Sequence, residues 1–481
     1  MFSNELTTHI LRNFPFQPTA DQATAVSVFT NFLFDRESQA LMILRGSAGT
    51  GKTSLAGSIV KTLIECRQKV LLLAPTGRAA KVFSINSEGH PAFTIHRKIY
   101  RQRSFEANGG MFNINDNLHT DTLFIVDEAS MVANSGGFDS AFGSGRLLDD
   151  LIKFVYQGRN CRLLLMGDTA QLPPIGEAES PALISQVMEG YGMKVYDCDL
   201  NEVLRQSRDS GILYNATMIR HMITHDDITA LPKIRFWGFA DIQMVPGNEL
   251  IDCLSNSYAK VGIDETMVVT RNNKRANIYN QGIRNMILER EEQLSAGDQL
   301  MIVKNNYYWT EKEKSTIHFL ANGDRTRIRR VRNIHEMHGF TFAKVWLQFP
   351  DYENEELQAT LILDSLTTEA PALTAEQSEQ LFQRVMEDYA DLPLKAERVK
   401  QLKSDGYFNA IQVKYAYAIT CHKAQGGQWE HVYIDQGYMA DEMLTPDYIH
   451  WLYTAFTRAK TKLFLVNWPQ VQTQAEKKEE E

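Results

Sequence analysis

Eight residues, Gly46-Ser47-Ala48-Gly49-Thr50-Gly51-Lys52-Thr53, leave this chain the fewest choices of fold. They follow the apolar run Leu41-Met42-Ile43-Leu44 and precede a stretch of helical pattern. The chain must therefore pass from a buried strand, through a glycine-rich turn, into a helix. In that context G-x-x-x-x-G-K-[ST] is a phosphate loop. Its glycines let backbone N–H groups close around a β-phosphate, its lysine neutralises β/γ charge, and its last hydroxyl ligates Mg²⁺. Residues 46–53, with Ser54 beside them, are expected to bind ATP, Lys52 to act in catalysis and Thr53 to hold the metal.

Three more short apolar runs precede polar loops: 70–74 ends at Pro75, 123–126 at Asp127, and 162–166 at Gly167-Asp168. Such runs, alternating with helical stretches, predict a buried parallel sheet whose ligands sit beyond the carboxyl ends of its strands. Asp127-Glu128 then falls where a phosphate loop needs a carboxylate partner. Asp127 would hold Mg²⁺ through water, and Glu128 would act as general base toward the attacking water. Gln171, in Gly167-Asp168-Thr169-Ala170-Gln171-Leu172-Pro173-Pro174, can sense the γ-phosphate; the bland alternative is a proline-terminated turn.

A length of 481 residues exceeds one ordinary core, so a second domain is expected. Runs at 267–270, 413–419, 432–434 and 463–466 supply a second sheet over 201–296 and 408–470, after a first domain at 1–200. The interval 297–407 alternates in a β-like way and then turns helical, predicting an inserted barrel or meander with a helical part. A smaller insertion at about 98–120 carries the hairpin signal Asn108-Gly109-Gly110. Residues 471–481 are polar and are expected to be a disordered tail. The contents of 43% hydrophobic and 23% charged residues are those of a soluble globular protein. No apolar run approaches the roughly 20 residues that span a bilayer. Five scattered cysteines without CxxC spacing argue against a disulfide framework or zinc site and fit a cytoplasmic location. A net charge of −9 does not suggest a passive nucleic-acid coat, and it does not exclude a motor with a local basic groove.

An ordered set of motifs goes further. Gln22, the phosphate loop, Ala74-Pro75-Thr76-Gly77-Arg78-Ala79-Ala80, Thr94-Ile95-His96, Asp127-Glu128-Ala129-Ser130-Met131 and 167–174 come first. Leu204-Arg205-Gln206, the run from Ala418 through Thr420, His422 and Lys423 to Gly426, and Tyr453-Thr454-Ala455-Phe456-Thr457-Arg458-Ala459 follow. In this order they resemble a superfamily 1 DNA helicase, and in detail its 1B branch of RecD and Dda, which moves 5′→3′. The resemblance spans Gln22 to about Val466. It implies two RecA-like domains in tandem, a pin hairpin inserted in the first and an SH3-like barrel in the second. Gln22 would read adenine, and Arg205 and Arg458 would reach the γ-phosphate from the second domain. Thr76, Gly77, Arg78, Thr94 and His96 would line a single-stranded DNA groove on one side, and Thr420, His422 and Lys423 on the other. Each of these threonines and histidines could instead simply cap a helix. Phe112 is a candidate wedge, and Phe93, Tyr307, Tyr308, Trp309 and Trp429 are candidate stacking platforms, although a Tyr-Tyr-Trp run is more often buried in a small barrel. Gly427 departs from relatives, which commonly carry Ser or another residue there.

The resemblance implies partners in single-stranded DNA and its junctions with duplex, no membrane, and either a monomer or a subunit of a repair or recombination complex. An RNA track stays open, because no 2′-hydroxyl reader is evident. A P-loop phosphotransferase or nucleotide switch stays open as well, but needs no second domain with Thr420 to Gly426 and Arg458 in this order.

Overall fold

The computed structural model describes residues 2–102, 112–136, 142–202, 209–225, 228–313, 315, 317 and 319–475. The first lobe is built on six parallel strands in the order Ala92–Thr94, Lys69–Ala74, Thr122–Val126, Arg162–Gly167, Ala40–Gly46 and Lys194–Leu200. The period of two along each strand serves both faces. Met42, Leu44, Leu72, Ile125 and Leu164 pack toward the helices Phe2–Asn13, Ala20–Leu33 and Lys52–Glu65. Leu41, Ile43, Leu73, Phe124 and Leu165 pack toward the helix Leu147–Gln157. All four expected strands are present. Lys194–Leu200 hides from hydrophobic pattern because it is an edge strand whose Asp197 and Asp199 both bind Arg45.

The second lobe is a five-stranded parallel sheet in the order Ala418–Thr420, Thr266–Thr270, Trp429–Asp435, Ala459–Val466 and Ile242–Val245. Between its strands a closed barrel is inserted, formed by Gln299–Ile302, Arg325–Met337, Phe340–Phe349, Glu355–Ile362 and Ile411–Tyr415. The chain thus has two RecA-like parallel-sheet lobes in tandem with a small inserted β-barrel. The helices Ala375–Glu387 and Lys395–Lys403 bury Leu381, Val385 and Leu402 against Phe340, Phe342 and Ile362 of the barrel.

Two expectations are corrected. The run 413–419 is not one strand: Ile411–Tyr415 closes the barrel and Ala418–Thr420 enters the sheet. Asn280 stabilises the break. Its Oδ1 accepts from the amides of Tyr417 (3.0 Å) and Ala418 (2.8 Å), and its Nδ2 donates to the carbonyls of Tyr415 (3.1 Å) and Ala418 (2.9 Å). The tail also starts later than expected. Gln472 is fully buried and accepts at 2.5 Å from Gln436, while the amide of Gln474 donates to Ile234.

The hairpin inserted in the first lobe pairs Tyr100–Gln102 with Phe112–Ile114; its Asn108-Gly109-Gly110 turn lies outside the described residues. Phe112 is no exposed wedge. It is buried among Phe142, Phe319 and Tyr307, with a ring separation of 4.6 Å to Tyr307. Trp309 and Trp429 are also buried, so neither offers a stacking face.

Candidate functional site

The phosphate loop takes the shape that its glycines permit. Gly49 and Gly51 have φ of 79° and 77°, a left-handed backbone that L side chains rarely adopt. Gly51 is the N-cap of the helix Lys52–Glu65, so the helix's unsatisfied amides face the cleft. Lys52 Nζ rests on the carbonyl of Gly46 at 3.3 Å. Ser47, Ala48, Gly49, Gly51, Lys52 and Thr53 line a cavity of about 360 Å³. Gly46 and Thr50 shape the loop from behind, and Ser54 lies outside the lining.

Gln22 departs from expectation. It is fully buried, donates to the carbonyl of Thr50 at 2.8 Å and accepts from the amide of Thr19 at 3.0 Å. Both ends of its amide are engaged inside the protein, so it props the loop and is not placed to read a base.

The acidic wall comes from the next two strand ends. Asp127 is pushed up to about 6, chiefly by burial, with Glu128 adding and Lys52 opposing. Asp168 is raised by burial, against the pull of Lys52 and a hydrogen bond from Tyr453. Glu128 sits in the left-handed region at φ 54°, a strain on the order of 1–3 kcal/mol for a non-glycine residue. Glu128 Oε2 and Gln171 Oε1 are buried without a hydrogen-bond partner among the described residues. Three carboxylates thus line the cavity with Lys52, and the Glu128 oxygen has acceptor capacity to spare. Oxygen acceptors of this kind are the chemistry that a hard divalent cation and its water would take.

The opposite wall belongs to the second lobe. Gln428, Thr457, Arg458 and Lys460 line the same cavity. Arg458 is buried and donates to the carbonyls of Thr454 (2.9 Å) and Gly427 (3.2 Å) and to Thr457 Oγ1 (2.9 Å). Arg205 lies outside the described residues. A larger hollow of about 690 Å³, lined by Glu5, His9 and Cys66 among others, opens where the first sheet's strands begin, away from the phosphate loop.

The residues expected to grip a strand are divided. Thr76 and Thr94 cap helices, accepting from the amides of Ala79 (3.2 Å) and Arg97 (3.3 Å). His96 packs on Tyr100 and Phe142, and burial holds it down to about 4, hence uncharged at neutral pH. Gly77 lies under the barrel, where an added Cβ would stand 2.9 Å from the hydroxyl of Tyr352. Arg78 is not the free charge expected. It donates to the carbonyl of Gln428 at 3.0 Å and pairs with Glu265 and Asp351 at 3.5 and 3.8 Å. On the second lobe His422 is exposed, and Lys423 is drawn down to about 8, chiefly by burial, with Lys414 adding. The loop at Gln425-Gly426 reaches the first lobe. A Cβ on Gly426 would stand 3.0 Å from Ala79 Cβ, and Gln425 donates to the carbonyl of Leu172 at 2.6 Å.

Sequence reasoning gave no role to Asp168, Tyr453 or Lys460. Asp168 and Tyr453 lie inside quoted motifs, but their significance rests on contacts between the lobes.

A phosphate loop on one RecA-like lobe, closed by a buried arginine from another, defines a two-lobe P-loop nucleoside triphosphatase. Residues 18–232 match the AAA domain family and 415–466 the UvrD-like helicase C-terminal domain. The ATP-dependent RecD2 DNA helicase of Deinococcus radiodurans is 30% identical over 186 residues, covering 38% of this chain and 22% of that protein. The ATP-dependent DNA helicase dda of Enterobacteria phage T4 is 27% identical over 275 residues, 56% of this chain and 57% of that one. The crystal structure of a Pif1 helicase from Bacteroides with ADP-AlF3 and ssDNA aligns over 95% of this chain and 94% of that one, at 13% identity and TM-score 0.44, a likeness too loose to carry weight. Over these matched segments the chain is similar to the superfamily 1B helicases of the RecD/Dda-like kind, a class of ATP-hydrolysing enzymes. Among the described residues no helix is long and apolar enough to cross a membrane.

Proposed function

We infer that the chain is a DNA translocase that hydrolyses ATP-Mg²⁺ between its lobes, moves 5′→3′ on single-stranded DNA and unwinds duplex at junctions. The observation carrying this reading is the shared cavity, with the phosphate loop, Asp127, Glu128 and Gln171 on one wall and Arg458 on the other. Lys52 would neutralise the β- and γ-phosphates, Thr53 and Asp127 would hold Mg²⁺, and Glu128 would take the proton of the attacking water. Gln171 would orient that water. Arg458, joined by Arg205, would stabilise the charge that develops on the transferred phosphoryl, a contribution on the order of 10³–10⁵ in related systems. Its planar fork is already aligned by three hydrogen bonds, so little reorganisation is needed at the moment of reaction.

A DNA track is favoured because the two relatives of stated activity are DNA helicases by name. Thr420, His422 and Lys423 would hold phosphates on the second lobe. On the first lobe Thr76, Thr94 and His96 would join them, and Gly77 and Arg78 would become available as the barrel lifts, since Tyr352 and Asp351 cover the start of the helix Gly77–Asn86. The test is ATP turnover with single-stranded DNA, single-stranded RNA or neither, followed by unwinding of duplexes with a 5′ or a 3′ tail. Stimulation by DNA and preference for the 5′ tail are expected. Stimulation by RNA alone would redirect the track, and a 3′ preference would refute the polarity.

A further inference from the structure

The helix Pro446–Phe456 of the second lobe touches the first lobe with three side chains spaced i, i+3 and i+4, which places them on one face. His450 Nδ1 bonds the carbonyl of Ala170 at 2.9 Å, and Thr454 Oγ1 accepts from the amide of Leu172 at 2.8 Å. Both end on the loop after Gly167. Tyr453 alone reaches the phosphate loop: its buried hydroxyl accepts from the amide of Ala48 at 2.9 Å and donates to Asp168 Oδ2 at 2.6 Å.

Ala48 lines the nucleotide cavity, and its single N–H serves one acceptor well. A phosphate oxygen is a charged acceptor and outcompetes a neutral phenol. Arg458 lies just beyond the end of Tyr453's helix and is fixed to it through the carbonyl of Thr454. A change at Tyr453 is therefore felt at the arginine.

We propose that Tyr453 is the positioning residue through which the second lobe registers a filled phosphate loop. Its hydroxyl holds the Ala48 amide while the loop is empty and yields it to a phosphate oxygen of a nucleoside triphosphate, keeping only Asp168. This deepens the ATP-site reading above and rests on it.

The test compares nucleotide affinity, without nucleic acid, in the unaltered chain, Tyr453→Phe and Thr454→Val. Tyr453→Phe removes the competitor for Ala48 and is expected to tighten binding of a fluorescent non-hydrolysable ATP analogue by about threefold to tenfold, the worth of one neutral hydrogen bond. The ratio of DNA-stimulated to unstimulated kcat should fall in the same variant. Thr454→Val loosens the same interface but leaves Ala48 engaged, and the bond it removes ends on Leu172, outside the nucleotide cavity, so its affinity should stay within about twofold of the unaltered chain. Equal affinity in Tyr453→Phe, or equal tightening in Thr454→Val, would overturn the proposal. A fluorine label on Tyr453, followed by NMR, covers the case in which the phenylalanine variant fails to fold. Its signal should move on saturation with the analogue, and a stationary signal at saturation counts against the proposal. An unaltered chain that binds no nucleotide would instead sink the ATP-site reading itself.

Discussion

Asp324, at the mouth of the barrel against the first lobe, gives the sharpest test of the electrostatics. Its side chain is buried, accepts from the amide of Ala321 at 2.8 Å and from the hydroxyl of Tyr352 at 2.9 Å, and is pushed from 3.8 up to about 7, chiefly by burial. In the unfolded chain the carboxyl ionises near its ordinary value. Below that pH both states hold the proton, and burial costs nothing in linkage. As pH rises toward 7 only the unfolded chain releases its proton, so folding stability falls; above 7 the penalty is complete. At about 1.4 kcal/mol per pKa step, the upper bound is about 4 kcal/mol at pH 8 and about 1.5 kcal/mol at pH 5. Asp324→Asn removes that penalty but gives up one of two hydrogen bonds, a loss of about 1–2 kcal/mol. The variant should therefore be close to the unaltered chain at pH 5 and more stable by about 2 kcal/mol at pH 8. Urea unfolding at both pH values measures this, and hydrogen exchange of the barrel amides localises it. Parallel pH profiles for the two proteins would refute the reasoning, because they would mean that Asp324 ionises freely in the folded chain.

Two further outcomes follow from the ATP site. Lys52→Ala and Glu128→Gln should both abolish turnover, while Glu128→Gln still binds nucleotide in a filter or fluorescence assay; normal turnover by the glutamine variant would remove Glu128 from the role of base. Gly427→Ala should lower stability by about 1–3 kcal/mol and slow hydrolysis, because a Cβ there would meet Trp429 at 2.4 Å and displace a carbonyl that holds Arg458. Thermal unfolding and kcat, measured together, check it.

The strands that carry chemistry were legible because strands buried on both faces read as short continuous apolar runs, and their loops carry the motifs. What escaped was tertiary. An edge strand such as Lys194–Leu200 shows acids where the pattern asks for aliphatics. The division of 411–420 between barrel and sheet depends on Asn280, more than 100 residues away in the chain. Motif position singled out Gln22 and Arg78, yet what each side chain bonds to is set by neighbours no local pattern names. Tyr453 was quoted within a motif, and its role emerges only where two lobes share one hydroxyl.

The split strand bears on how force can travel. Only Ala416 and Tyr417 separate the barrel's last strand from the sheet's Ala418–Thr420, and both are buried. Tyr417's hydroxyl is further locked to Asp298 at 2.9 Å and to Arg290 at 2.7 Å. Barrel and second sheet are thus joined by a two-residue connection that is buried and hydrogen-bonded on its tyrosine. A rotation of the second sheet, whose Arg458 lines the nucleotide cavity, would carry the barrel with it, including the loop whose Tyr352 lies against Gly77.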